Sequence, residues 1–435
     1  MDVQELKAAI CKTIDDNKEK IIEFAKLTEK NPELGFKEIK TARATANFFK
    51  DLSLKYREGL ALTGIKASLK ETNTGPNVAI LGELDAVLCP DNPKADPKTG
   101  AAHACGHNLQ LAAMVGAALG LRLSGTGEQL DGNVTFIAVP AEEYVEIEYR
   151  SRLRAEGKIH FLGGKQELIY LGEFEDIDIA MMVHSAKESP LSSVAIGESS
   201  NGFIGKTIQY IGKEAHAAEA PQEGINALNA AMLGLMGIHA LRETFKDQDV
   251  VRVHPIITKG GDLVNSVPAD VRLETYVRAK TMQAIEGTHE KVDRALKAGG
   301  DAIGARTIIK TIPGYLPLNC PQELNQIFME NARQFIPEER IIYAGHFGAS
   351  TDMGDVSHLI PTIHPFVGGV SGSLHARDFQ VEDYYTACIL PAKLLAMTVV
   401  DLLFNNADKA KRVMKNFKPL LTREQYITML EKYFS

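Results

Sequence analysis

The stretch "AAHACGHNLQ" sets His103, Cys105 and His107 close together on a glycine-containing loop, just ahead of the helix-like run "LQLAAMVGAALGLRL". Imidazoles and a thiolate are metal donors; the same trio also suits a reactive thiol beside a basic histidine, or plain core packing. Further donors stand at the ends of apolar runs. "NVAILGELDA" closes on Glu83 and Asp85, "NVTFIAVPAEE" on Glu142 and Glu143, and "IDIAMMVHS" on His184. Late in the chain, "SGSLHARDF" places His375 in a loop before the last long helix. Several carboxylates, three imidazoles and a thiolate carried by separate loops fit a metal centre. Neighbouring glutamates can divide the work, one holding metal while the other takes a proton from activated water.

Those donors need a frame that brings strand ends together. Apolar strands alternating with helices predict an α/β fold with a mostly parallel sheet covered on both faces. Ligands in such sheets bind in the crevice beyond the carboxyl ends of the strands. The N-terminal segment reads as two amphipathic helices, over 3–29 and 36–52, broken by "NPELG". "IDIAMMVHS" reads as one strand whose last side chain, His184, enters the crevice. From Phe203 the order becomes β-α-β-β-α-β, a ferredoxin-like α+β arrangement. The expected domains are therefore 1–202 with 315–435, and an inserted unit over 203–314. His160, His239, His254, His289 and His346 lack such strand-end context and read as surface or core residues.

The whole-chain totals narrow the function classes. The 435 residues suffice for two domains, and a net charge of −8 opposes non-specific nucleic-acid binding, which needs a basic face. The five cysteines, Cys11, Cys89, Cys105, Cys320 and Cys388, are scattered and unpaired by motif, which predicts free thiols in a reducing compartment. No apolar run reads as long enough to span a bilayer, and the acidic N-terminus is unlike a signal peptide. The expectation is a cytoplasmic protein without membrane or nucleic-acid partners.

"HACGHNLQLAAM", "VPAEE", "GKEAHAAEAPQEGINAL", "NSVPADVRLETYVRA" and "STDMGDVSHLIPTIHP" follow one another in an order that resembles metal-dependent amidohydrolases. These group with the aminoacylase and carboxypeptidase-type metallopeptidases, and the branch it resembles holds indole-3-acetyl-amino-acid hydrolases and p-aminobenzoyl-glutamate hydrolase. The resemblance covers nearly the whole chain, "NPELGFKE" included. It implies metal ligands at Cys105, His107, Glu143, His184 and His375, with Glu142 as general base and one or two zinc or manganese ions per subunit. Asp85 matches an aspartate that orients a ligand. The inserted unit resembles a lid and dimerisation domain, so a homodimer or higher oligomer through 203–314 is expected. There His216 matches a histidine that stabilises the oxyanion in the partner subunit's site, and Asn265 and Arg278 match positions near the substrate's polar end.

Three features depart from the resemblance. Asn108 stands where aspartate usually follows "ACGH", which removes a charge beside the ligands. Glu83 stands where relatives carry aspartate or a ligand histidine, which leaves the metal count open. The stretch "EIEYRSRLRAEGKIHFLGGKQE" is longer than usual for the branch and reads either as pocket rim or as a solvated insertion. The expected reaction is metal-dependent hydrolysis of an amide bond in an N-acyl or N-aroyl amino acid or a dipeptide. The alternatives are hydrolytic deamination of an activated aromatic ring, a non-catalytic ligand-binding relative, and a cysteine-nucleophile hydrolase built on Cys105.

Overall fold

The computed structural model describes residues 2–71, 74–187 and 193–434. They form an α/β protein in two compact units. The first holds residues 1–198, 319–346 and 355–423; the second holds 199–318, 347–354 and 424–435.

The first unit is built on a six-stranded sheet. Its centre is parallel: Asn77–Glu83 lies between Asn133–Val139 and Ile179–Met181, and Thr362–Ile363 pairs beyond the latter. Lys55–Leu60 and Gly64–Ser68 add antiparallel edge strands. Every residue of Asn77–Glu83 and Asn133–Val139 is buried, as a sheet covered on both faces requires. Their carboxyl ends deliver Glu83 and, a short loop further on, Glu142 and Glu143. The helix His107–Leu123, rich in alanine and glycine, packs against the sheet and against the helix Leu390–Leu403. The run Tyr385–Leu403 is long and apolar enough to cross a membrane by length and composition, contrary to the sequence expectation. It is 94% buried, and so serves as a core helix.

Two elements differ from their sequence readings. The first predicted helix is two, Val3–Asp16 and Lys18–Glu29, with Asn17 between them at φ −113°. More consequential, the strand expected to end at His184 stops at Met181. His184 instead opens a new strand, His184–Lys187, in a second five-stranded sheet. Its parallel neighbour breaks in step, passing from Thr362–Ile363 to Phe366–Ser371 across Pro365, which has no N–H to extend the ladder. His184 N donates to the Pro365 carbonyl at 2.9 Å, so the partner strand sets where the imidazole enters the new sheet.

The second unit carries the four strands Gly202–Ile211, Arg252–Lys259, Asp270–Ala279 and Arg306–Pro313, all antiparallel. Gly202–Ile211 and Asp270–Ala279 are central, and the helices Ala227–Leu241 and Met282–Ile303 pack on each other and on the sheet. This is the ferredoxin-like order expected from the sequence.

Candidate metal centre

Cys105 and His107 are placed by a backbone that only glycine tolerates. Gly106 sits at φ +83° as the residue before the helix His107–Leu123, and a Cβ there would collide with the Ser185 hydroxyl. That close approach brings His184 to the loop: its Nε2 lies 3.3 Å from Cys105 Sγ, while its Nδ1 lies 2.7 Å from the Ser185 carbonyl. Ser185 Oγ in turn donates to the Cys105 carbonyl. The His375 loop docks on the same segment, with its N–H donating to the Ala104 carbonyl at 2.8 Å and its backbone at φ +61°.

Three donor groups converge: Cys105 with His107 and His184, Cys105 with Glu143 and His375, and Glu83 with His107 and Glu142. Cys105 is shared by the first two and His107 joins the first and third. His107 Nε2 lies 3.1 Å from Glu83 Oε2, 3.8 Å from Glu142 Oε2 and 4.0 Å from Glu143 Oε1. Asp85 binds two of the donors in place. Its Oδ2 accepts from Glu143 N at 2.8 Å, and its Oδ1 and carbonyl lie 3.2 and 3.0 Å from His107 Nδ1. The latter contacts turn Nε2 inward, as a ligand imidazole requires.

The donor set fits a divalent metal. Glu83 Oε2, His107 Nε2 and Glu143 Oε1 are buried without an aligned hydrogen bond, although they lie near one another. Buried polar atoms left so are costly unless another partner takes them. The charges agree. Burial and Glu143 push the Cys105 thiol upward, yet His107 and His184 more than offset them and bring it down to about 6. Burial opposes ionisation of Glu143, but His375 holds it at about 2, and Glu143 in return raises His375 to about 11. Burial, aided by neighbouring His107, drives His103 down to about 3, so this buried imidazole is neutral and stands apart from the three donor groups. Asn108 donates from Nδ2 to the Ala25 carbonyl at 3.2 Å, tying the helix His107–Leu123 to the helix Lys18–Glu29.

The long insertion is neither pocket rim nor solvated surface at its two key positions. It folds as the helices Ile147–Ala155 and Gly164–Tyr170, and Arg150 and Lys165 are almost wholly buried. Arg150 donates to the carbonyls of Ala141 and Leu162 at 3.1 and 2.7 Å, and to that of Glu143. It thus clamps the paired-glutamate loop, in which Ala141 is held at φ +53°. Lys165 reaches Glu83 Oε1 at 2.6 Å, brought close because Gly164, with no Cβ, abuts the Pro140 carbonyl. His364, whose ring lies 5.7 Å from that of His184, completes the surroundings. Sequence reasoning missed Arg150, Lys165 and His364. The one available signal was the glycine-flanked lysine of "GGKQE".

His216, Asn265 and Arg278 all belong to the second unit. His216 is exposed, and its Nδ1 accepts from the N–H groups of Ala218 and Glu219 at 3.3 and 3.0 Å. The proton therefore resides on Nε2, which is the donor tautomer. The Asn265 carbonyl accepts from Ala217 N at 2.9 Å, fastening that segment to the His216 loop. Arg278 donates to Ser350 Oγ at 3.0 Å and lies over the rings of Phe203 and Tyr276.

The family model described as peptidase family M20/M25/M40 matches residues 79–396. The chain is 30% identical over 451 residues to the mouse (Mus musculus) Xaa-Arg dipeptidase, covering 98% of this chain and 95% of that protein. It is 24% identical over 373 residues to the IAA-amino acid hydrolase ILR1-like 4 of Arabidopsis thaliana, covering 81% and 79%. Among solved structures it is similar to the YXEP protein of Bacillus subtilis, a dinuclear metal binding peptidase, with a TM-score of 0.66 and 20% identity, covering 88% and 98%.

Proposed function

We propose, for a chain that belongs to peptidase family M20/M25/M40 and is a hydrolase of amide or peptide bonds, that its substrate is a dipeptide or an N-acyl amino acid. The observation that carries the reading is the convergence of Cys105, His107, Glu143, His184 and His375, with the second glutamate, Glu142, beside them. We assign the five as ligands and Glu142 as general base. A divalent metal, zinc or manganese and one or two ions per subunit, supplies polarisation of the carbonyl and lowers the pKa of water from about 15.7 toward about 7.

This chain's residues do the remaining work. Glu142 takes the proton from the attacking water and returns it to the leaving amine, so the amide C–N bond breaks with a neutral amine departing. Asp85 and Arg150 hold the ligand and base loops in register, the first through His107 and Glu143 N, the second through the loop carbonyls. His216 donates from Nε2, in the partner subunit's site, to the oxygen on which negative charge develops, and Asn265 and Arg278 bind the polar end of the substrate. The match along nearly the full length of the Xaa-Arg dipeptidase supports the dipeptide class first.

The unit over 203–314 is assigned as lid and dimerisation domain. Met232 and Met236 on one of its helices, and Ile256 and Ile257 on the edge strand Arg252–Lys259, are exposed. An open edge strand beside apolar side chains is a ready surface for a second copy. Sedimentation measures this directly, and a monomer at micromolar concentration refutes it. We place the protein in the cytoplasm on its free cysteines. The test of function is metal analysis of the purified protein, then a panel of dipeptides and N-acyl amino acids with that metal restored. Turnover that needs metal and is fastest on one of these classes is expected. Full activity after chelation, or activity only on aryl amines, would reject the reading.

A further inference from the structure

The Glu83–Lys165 pair lies against the metal centre and has no part in the mechanism above. The carboxylate is 1% exposed and the ammonium 0%, and they meet at 2.6 Å. Burying two charges together costs free energy that a well-packed apolar pair avoids, so a pair in this place calls for a reason beyond stability. The geometry of Glu83 supplies one. Its two oxygens face different things: Oε1 takes the Lys165 ammonium, while Oε2 lies 3.1 Å from His107 Nε2 without an aligned hydrogen bond. The second oxygen is thus buried, unsatisfied and turned to the same point as a donor imidazole.

We propose that Glu83 is a further metal ligand at the His107 position, binding through Oε2 alone, and that Lys165 restricts it to that single oxygen and weakens its hold. The inference rests on the metal-centre reading. Three carboxylates, Glu83, Glu142 and Glu143, crowd His107, so a cation gains from all of them and could be held too tightly or drawn onto the base. A fixed positive charge on Glu83 counteracts that. It leaves Glu142 the carboxylate available for proton transfer. The insertion delivers this ammonium, which gives that extra segment a chemical role. An added carboxylate oxygen also favours a hard cation such as manganese over zinc.

Titration of the metal-free protein with Mn²⁺ and with Zn²⁺, by calorimetry and by metal-induced shift in Tm, tests the proposal without any activity measurement. Glu83→Gln should weaken Mn²⁺ binding by roughly ten- to a hundredfold, and Zn²⁺ binding by less. Lys165→Met should act in the opposite sense, tightening Mn²⁺ by about tenfold and enlarging the metal-induced rise in Tm. The double variant should bind like Glu83→Gln, because the lysine acts through Glu83. If Lys165→Met does not fold, Lys165→Gln carries the same expectation, since it too removes the charge. A pair that merely braces the fold would make both single variants lose metal alike. That result overturns the proposal, as does unchanged affinity, or a gain in Lys165→Met that survives without Glu83. Absence of metal binding by the unaltered protein would instead overturn the metal-centre reading itself.

Discussion

The two units hold their candidate residues in opposite ways. In the first, Glu83, Cys105, His107, Glu142 and Glu143 are buried, His184 is partly so and His375 is exposed, and their partners lie far along the chain: Cys105 meets His184, Glu143 meets His375, and Glu83 meets Lys165. In the second, His216 is exposed and oriented by the amides of Ala218 and Glu219, its neighbours in sequence. A buried centre gains its affinity from charges placed in advance, and depends on the whole unit to keep them there. The exposed donor is oriented by the amides of its own loop, which the segment 265–267 of the same unit fastens. Damage should therefore spread differently. Changes in the first unit reach metal binding or the proton-transfer step, whereas changes in the second reach turnover while leaving metal content intact.

Glu142→Gln puts the strongest strain on that contrast. It removes the base but no assigned ligand, so kcat should fall by about 10²–10⁴ with metal content unchanged. Loss of metal in this variant would move Glu142 among the ligands. His216→Ala is the counterpart in the second unit. It should lower kcat by about 10²–10³, with full metal occupancy and an unchanged Tm. A drop in metal content measured on the same preparation would erase the distinction between the units.

Arg150→Met sharpens the first side. The clamp on the Ala141 and Glu143 carbonyls goes, three buried carbonyls each lose one donor, and the paired glutamates shift. Activity should fall roughly 10- to 100-fold with KM little altered, and thermal denaturation should show a loss of about 2 kcal/mol or more. Wild-type kinetics would mean that the loop keeps its shape without the arginine. The smallest effect is expected from Thr281→Ala. Thr281 caps the helix Met282–Ile303 by accepting from Ala284 N at 3.1 Å, so its loss should cost about 1 kcal/mol, seen as a lower Tm. Metal affinity should be untouched, and a change in it would couple the units.

Much of the centre was legible because its chemistry is written in residue types at strand ends. Glu83, Asp85, Glu142 and Glu143 follow apolar runs that read as buried strands, and Cys105 and His107 flank a glycine at a helix start. His184 was singled out for an imperfect reason. The sequence reading took "IDIAMMVHS" as a strand that ends at His184, but the strand stops at Met181 and His184 starts another. Nothing within that run marks the break, because it is imposed by the neighbouring strand at Pro365. Arg150 and Lys165 escaped notice for a related reason. In a charged stretch, a buried cation looks like its solvated neighbours until its partner is known.

Local order and residue type were settled by the sequence alone. The scattered cysteines, the paired glutamates and the glycine between Cys105 and His107 are matters of composition and spacing, so the sequence suffices to read them. The tertiary structure decided everything that depends on distant partners. It set Asp85 between His107 and Glu143, and clamped the glutamate loop with Arg150. It also placed one oxygen of Glu83 on Lys165 and the other beside His107. The physical reason is that a buried charge takes its meaning from what it is buried against, and residues 82 positions apart meet only when the chain has folded.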